Sequence, residues 1–94
     1  MARLRKTLPA FPGTGQLRSR SFVGEVTYEI LGDPSGLKFG PLRLRGSLNT
    51  TPDVAEQLFR DGEGVLVLED GASFRLTMLG HSTGEPTTYF EMRV

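Results

Sequence analysis

The chain contains no cysteine and no tryptophan, and it has a single histidine among its 94 residues. Without cysteine there can be no disulfide, no thiolate metal site and no cysteine nucleophile. A single histidine leaves a zinc or iron site without a second nitrogen ligand, so we expect no bound metal and no cofactor. The lack of cysteine also suits a reducing compartment, and the cytoplasm is the expected location.

Long apolar segments are absent as well. No stretch approaches the roughly 18 consecutive apolar residues of a membrane span. No apolar segment follows the first basic residues, as a secretion signal would require. We therefore expect neither membrane insertion nor secretion. A chain of this length has room for one domain with a small core, and a small core favours self-association.

Acidic residues are missing from the first 24 positions, although the whole chain has eleven acidic and eleven basic residues. Five basic residues give this segment a formal charge of +5, and the rest of the chain carries −5 from six basic and eleven acidic residues. Residues 1–21 show neither helical nor strand periodicity, and they contain two Pro and two Gly. The sequence thus predicts a basic, flexible arm over residues 1–21 and a single domain over residues 22–94.

From residue 22 onward the pattern changes to the two-residue alternation of β-strands. Apolar residues alternate in two segments, at Phe22, Val26, Tyr28 and Ile30 and then at Leu42, Leu44 and Leu48. The turn-forming residues 32–36 lie between them, so the two segments are predicted to pair as a hairpin. In this hairpin, acidic and basic side chains share the solvent face, namely Glu25 and Glu29 with Arg43 and Arg45.

Residues 51–61 form the one predicted helix. Thr51 is a suitable N-cap, and Pro52 and Asp53 suit the first turn. Gly62 is placed to end the helix in a left-handed conformation. Its apolar stripe is predicted to cap the core, mainly through Leu58 and Phe59.

Three more strands are predicted after the helix. Residues 65–68 are apolar on both faces, which is typical of a central strand. The Asp-Gly pair at 70–71 predicts a two-residue turn. In the resulting register the core-facing residues are Val65, Val67, Phe74, Leu76, Met78, Phe90, Met92 and Val94, while Leu66 faces outward.

The predicted order is β-β-α-β-β-β, and the fold class is mainly β. We expect a small, mostly antiparallel, five-stranded and partly open β-barrel with one short helix plugging an end. The alternative is a flat five-stranded sheet with the helix laid across it.

Three groups of residues are candidate sites. The basic arm could bind a polyanion such as nucleic acid through Arg3, Arg5, Lys6, Arg18 and Arg20, or it could be a solubilising tail. An outward-facing apolar cluster could be a partner surface or the seam of a homodimer, unless the barrel closes and buries it; it consists of Leu37, Phe39, Leu66 and Tyr89. The loop carrying His81, Ser82 and Glu85 has acid–base groups within five residues, a pattern of low specificity for catalysis.

These observations favour a small non-catalytic binding or protein-interaction module whose partner is another protein or a second copy of the chain. The first alternative is polyanion binding through the basic arm, to nucleic acid or to a nucleotide. The second alternative is a small enzyme that uses His81 with Glu85 or Ser82.

Overall fold

A computed structural model of the chain describes residues 10–32 and 43–93. The elements are β1 (Ala10–Ser19), β2 (Val23–Leu31), β3 (Leu44–Asn49), α1 (Pro52–Asp61), β4 (Glu63–Val67), β5 (Ser73–His81) and β6 (Thr87–Arg93). All strand pairs are antiparallel, and the strands close into a barrel in the order β1-β2-β3-β6-β5-β4. The predicted mainly β fold with one short helix is confirmed. The described barrel has six strands and is closed, whereas the sequence predicted five strands and a partly open barrel.

The additional strand, β1, lies in the segment predicted to be a flexible arm. It pairs with β2 from Ala10 to Arg18 and with β4 from Gln16 to Ser19, and the second pairing closes the barrel. The prediction of an arm is therefore wrong for residues 10–21, which are part of the domain. Residues 1–9 lie outside the described residues.

The sequence of β1 lacks the apolar alternation typical of a strand, because glycines occupy two of its core-facing positions. The ring of Tyr28 on β2 lies over Gly13 and Gly15, and a Cβ atom at Gly13 would overlap the ring. A side chain on the neighbouring strand thus fills the volume that β1 leaves empty. Burial raises the pKa of Tyr28 above its usual 10.0, although a backbone hydrogen bond at Glu69 opposes the shift, so the hydroxyl is neutral at physiological pH.

The first half of β1 extends beyond β4 and has an open edge among the described residues. Two features reduce the number of free backbone donors at this edge. The N–H of Thr14 donates to Oε2 of Glu69 at 3.3 Å. Two residues earlier, on the same side of the strand, Pro12 has no N–H to donate. Such an edge is a poor template for an additional strand, which limits aggregation.

Strands β2 and β3 pair as predicted, and the register is now defined. Glu29 is opposite Ser47, and Leu31 is opposite Arg45. Arg43 forms an ion pair with Glu91 on β6 at 3.4 Å rather than with an acid of β2. Of the predicted turn at 32–36, residues 33–36 lie outside the described residues, as does the rest of 33–42.

Helix α1 has the predicted ends. The Thr51 hydroxyl accepts a hydrogen bond from the N–H of Val54 at 3.3 Å, and Gly62 has φ of 84° and donates to the carbonyl of Leu58 at 3.1 Å. Leu58 is buried, as predicted, but Phe59 is exposed. The helix packs on β4, β5 and β6.

The turn between β4 and β5 differs from the prediction and changes which side of β4 faces the core. Leu68 donates its N–H to the carbonyl of Ala72, so the loop contains three residues, and its last residue, Gly71, has φ of 92°. Leu66 is consequently opposite Phe74, and Val65 is opposite Arg75. A shift of one residue reverses the two faces of a strand.

The core therefore differs from the predicted core mainly at β4. Leu66 is completely buried, and Val65 is 39% exposed, so both predictions for this pair were wrong. Val67, Phe22 and Leu44 are partly buried, and Leu42 and Val94 lie outside the described residues. The other predicted core residues of the strands are buried, namely Val26, Tyr28, Ile30, Leu48, Phe74, Leu76, Met78, Phe90 and Met92. Leu17, from the unpredicted strand, joins them.

Candidate anion-binding cleft

Three arginines lie in one cross-strand row on the outer face of the barrel, with Val65 between the first two. The register pairs Arg18 on β1 with Val65 on β4, Val65 with Arg75 on β5, and Arg75 with Arg93 on β6. All four side chains are exposed. We refer to Arg18, Arg75 and Arg93 as the arginine row. With about 4.8 Å between neighbouring strands, the row spans about 14 Å across the sheet.

The arginine row is electrostatically unfavourable apart from the acids Glu63 and Glu91, which lie in the next row of the same face. Arg75 and Arg93 are directly opposite each other on antiparallel strands, a position in which like charges destabilise strand pairing. In the part of the chain that the structure describes, the two ion pairs involve other arginines, joining Arg43 to Glu91 and Arg60 to Glu56. An anion between the guanidinium groups would remove the repulsion, so the arrangement suits an anionic ligand.

The row borders a cleft of about 630 Å³, which we call the arginine cleft. Arg20, at the tip of the hairpin between β1 and β2, also lines this cleft, as do the acidic residues Asp61 and Glu63. Four arginines and two acids give the lining a formal charge of +2. The volume lies within the range of about 300–1,000 Å³ that is usual for ligand sites. Among the described lining residues there is no aromatic side chain.

Asp61 is held by serines of the β1–β2 hairpin and not by the arginines. One carboxylate oxygen accepts hydrogen bonds from the hydroxyls of Ser19 and Ser21, both at 2.7 Å, and from the N–H of Ser21 at 3.0 Å. Gln57 donates to the other oxygen at 3.3 Å. Partial burial raises the pKa of Asp61, but the hydrogen bonds from Ser21, Ser19 and Gln57 together outweigh it and lower the pKa to about 2. This contact fastens the hairpin that carries Arg18 and Arg20 to the end of α1.

The low pKa of Asp61 predicts a loss of stability in acid. The carboxylate contributes stability above its usual pKa of 3.8, and this contribution is lost as the pH falls through about 2. We expect Asp61→Asn to lower the free energy of unfolding at neutral pH by about 1 kcal/mol or less, since water screens this group. Urea unfolding of both proteins at neutral pH and near the lower pKa measures the difference.

The difference between wild type and Asp61→Asn should be mostly lost at the lower pH, where about half of the folded wild-type molecules carry a protonated Asp61. Glu25→Gln is the control, because Glu25 is exposed on β2 and accepts no hydrogen bond from the described residues. An Asp61→Asn effect equal at both pH values would contradict the prediction.

The structure brings together residues that the sequence analysis had treated separately. Of the basic arm, Arg18 and Arg20 line the cleft, whereas Arg3, Arg5 and Lys6 lie outside the described residues. Arg75 and Arg93 were not predicted as site residues. The alternation with buried neighbours in the sequence indicates that both side chains point outward. Their proximity to Arg18, however, depends on the register of four strands.

His81, the catalytic candidate, contacts residues of β6 and α1. Its Nδ1 lies 3.1 Å from the carbonyl of Thr87, to which it donates, and its ring centroid lies 6.4 Å from that of Phe59. Its Nε2 is buried and has no hydrogen-bond partner among residues 10–32 and 43–93. Ser82 and Glu85 make no described side-chain contact with it; the N–H of Glu85 donates to the Ser82 carbonyl instead. These contacts therefore provide His81 with neither a nucleophile nor an orienting group, which catalysis would require.

The predicted apolar cluster is only partly present at the surface. Leu66 is in the core and does not belong to it, which corrects the prediction, and Leu37 and Phe39 lie outside the described residues. Tyr89 is 55% exposed and lines a second groove, of about 450 Å³, on β2, β3, β5 and β6. The two grooves share no lining residue.

Over the described residues, no three or more His, Cys, Asp or Glu side chains are grouped so that they could hold a metal ion. Helix α1, the one helix described, lacks the length and apolar character needed to cross a membrane. Comparison with protein-family models, with curated proteins and with solved structures finds no match to this chain.

Proposed function

We propose that this chain is a non-catalytic binding module that binds the phosphate backbone of nucleic acid at the arginine cleft. The observation that carries the proposal is the direct cross-strand pair of Arg75 and Arg93, with Arg18 in the same row. A planar guanidinium group can donate two parallel hydrogen bonds to one phosphate. Bound phosphates would convert a repulsive row into a set of favourable contacts.

The extent of the row favours a chain of phosphates over a single phosphate group. Arg18 and Arg93 are three strand spacings apart along the curved wall of the barrel, or about 14 Å measured along the sheet. Arg20 lies just after the end of β1, at the hairpin tip, and also lines the cleft. Several phosphates in sequence can contact such a row at once, which a lone phosphate group cannot do.

The composition of the cleft favours recognition of the backbone over recognition of bases. Proteins that stack bases use aromatic side chains, and none lines the described cleft. Contacts to phosphates carry no sequence information by themselves, and they weaken steeply as salt is added. We therefore expect binding with little sequence preference and a strong dependence on salt. We place this activity in the cytoplasm, which suits a chain without cysteine.

The test is fluorescence anisotropy of a labelled single-stranded oligonucleotide of mixed sequence, titrated with the full chain at several salt concentrations. We expect Arg75→Gln/Arg93→Gln to weaken binding by at least about tenfold at low salt. The slope of log K against log salt should fall by about 1.4, since each phosphate contact to a single strand contributes about 0.7. The control matched in charge is Arg43→Gln/Arg60→Gln, which changes two exposed arginines that line neither groove.

Two results would contradict the proposal. In the first, the cleft double variant binds as well as wild type; in the second, Arg43→Gln/Arg60→Gln weakens binding as much as the cleft double variant does. Deletion of residues 1–9 separates the cleft from the remainder of the predicted arm, because this deletion leaves β1 intact. If the deletion abolishes binding while the cleft double variant retains it, the arm and not the cleft is the binding site.

A further inference from the structure

The second groove contains apolar side chains that the barrel leaves in solvent. Leu31, Leu79 and Tyr89 line it and are 43%, 46% and 55% exposed. Glu29 and Arg45 are charged lining residues of the same groove. We refer to this surface, formed by Leu31, Leu79 and Tyr89 with Glu29 and Arg45, as the tyrosine groove.

A β-bulge in β5 forms one side of the tyrosine groove. The register passes from Met78 opposite Phe90 to Gly80 opposite Tyr89, which leaves Leu79 as the extra residue without a partner. Bulges commonly redirect a side chain, and here Leu79 points outward. A Cβ atom at Gly80 would meet no other atom within 4 Å, so the space beside Tyr89 is open.

The charged residues of the tyrosine groove could pair with those of the same groove on a second copy of the chain. One row across the sheet contains Glu29, Ser47 and Tyr89, and the next row contains Leu31, Arg45 and Glu91, of which Glu91 pairs with Arg43. Neither Glu29 nor Arg45 takes part in an ion pair within the described ranges. The groove thus has one acidic and one basic side chain beside an apolar centre. Two copies related by a two-fold axis place each acid against the base of the other copy.

We propose that the tyrosine groove is the interface of a symmetric homodimer. A two-fold interface must be complementary to itself, and a single Glu and a single Arg beside an apolar centre satisfy this condition. Tyr89, Leu79 and Leu31 supply the apolar centre that such interfaces bury. The arginine cleft shares no lining residue with this groove, so the proposed interface does not include the residues of the cleft. This inference is independent of the proposed nucleic-acid binding.

Sedimentation velocity of the full chain over a wide range of concentrations tests the proposal. The wild-type protein should shift from monomer to dimer as its concentration rises. Glu29→Arg and Arg45→Glu each place like charges against each other twice in the dimer, so we expect each to weaken dimerisation by more than about tenfold. Tyr89→Ala should weaken it as well, since aromatic residues at interface centres contribute strongly.

Mixing the two charge-reversal variants is the decisive measurement. In the mixed pair, the arginine introduced at position 29 of one copy meets the glutamate introduced at position 45 of the other. The native Arg45 of the first copy likewise meets the native Glu29 of the second. The mixture should therefore regain the dimer, although each variant alone remains monomeric. Glu25→Arg, an exposed change on β2 outside the groove, is the control and should leave dimerisation unchanged.

Three results would overturn the proposal: a wild-type monomer at every concentration, a mixture that fails to regain the dimer, or a Glu25→Arg effect as large as that of Glu29→Arg. A wild-type monomer would mean that the groove belongs to a different partner or to none. Far-ultraviolet circular dichroism of each variant confirms folding. Exposed substitutions of this kind usually change stability by less than about 0.5 kcal/mol.

Discussion

Leu66→Ala is expected to lower the free energy of unfolding by about 2–5 kcal/mol, whereas Val65→Ala should cost less than about 1 kcal/mol. Leu66 is completely buried opposite Phe74, so its truncation leaves a cavity that the closed barrel can fill only partly. Val65 is 39% exposed on the outer face between two arginines. Urea unfolding of the three proteins measures both differences.

The comparison of these neighbouring residues tests the register of the β4–β5 hairpin. A two-residue turn at Asp70-Gly71 would bury Val65 and expose Leu66, which would reverse the order of the two effects. A larger loss for Val65→Ala would thus contradict the observed register and, with it, the alignment of Arg75 with Arg18. If Leu66→Ala does not fold, Leu66→Val is a milder change, and the same order is expected.

Gly15→Ala is expected to destabilise the fold by about 2–3 kcal/mol, because it introduces an atom where strands β1 and β4 meet. A Cβ atom at Gly15 would overlap the backbone carbonyl oxygen of Val67 and press on the ring of Tyr28. A backbone atom cannot move aside as the end of a flexible side chain can. The two strands must therefore separate at the seam that closes the barrel.

Gly80→Ala is the matched control for this prediction. It also replaces a strand glycine, but a Cβ atom there would meet nothing within 4 Å, and Gly80 is not among the glycines with positive φ. We expect this change to be neutral or to raise the free energy of unfolding by up to about 1 kcal/mol, because alanine lowers the conformational entropy of the unfolded chain. Thermal unfolding followed by circular dichroism measures both variants. Equal effects of the two substitutions would mean that β1 does not pack against β4 as described.

Local signals in the sequence were sufficient wherever a structure depends on nearby residues. The helix ends at Thr51 and Gly62 were predicted because capping is a contact between residues three or four positions apart. The pairing of β2 with β3 and the inward direction of Phe74, Leu76 and Phe90 follow from alternation within each segment.

Predictions failed where distant contacts decide the structure. The strand β1 was missed because Gly13 and Gly15 remove the apolar alternation, and the compensating ring of Tyr28 is on another strand. The error at Leu66 arose from one extra residue in the loop, since Gly71 ends a three-residue loop where a two-residue turn was predicted. Phe59 has helical apolar spacing, but its ring lies beside that of His81 and is 41% exposed.

The sequence by itself determined the mainly β character, the helix, the positions of several core residues and the separation of charge along the chain. Only the tertiary structure decided that Arg18, Arg75 and Arg93 share a row and that Leu31, Leu79 and Tyr89 share a groove. The reason is physical: alternation tells which side of a strand faces the core, but it does not set the offset between strands that are far apart in the chain. Turn length, glycine–aromatic packing and barrel closure set that offset, and they depend on contacts made only when the whole chain is folded.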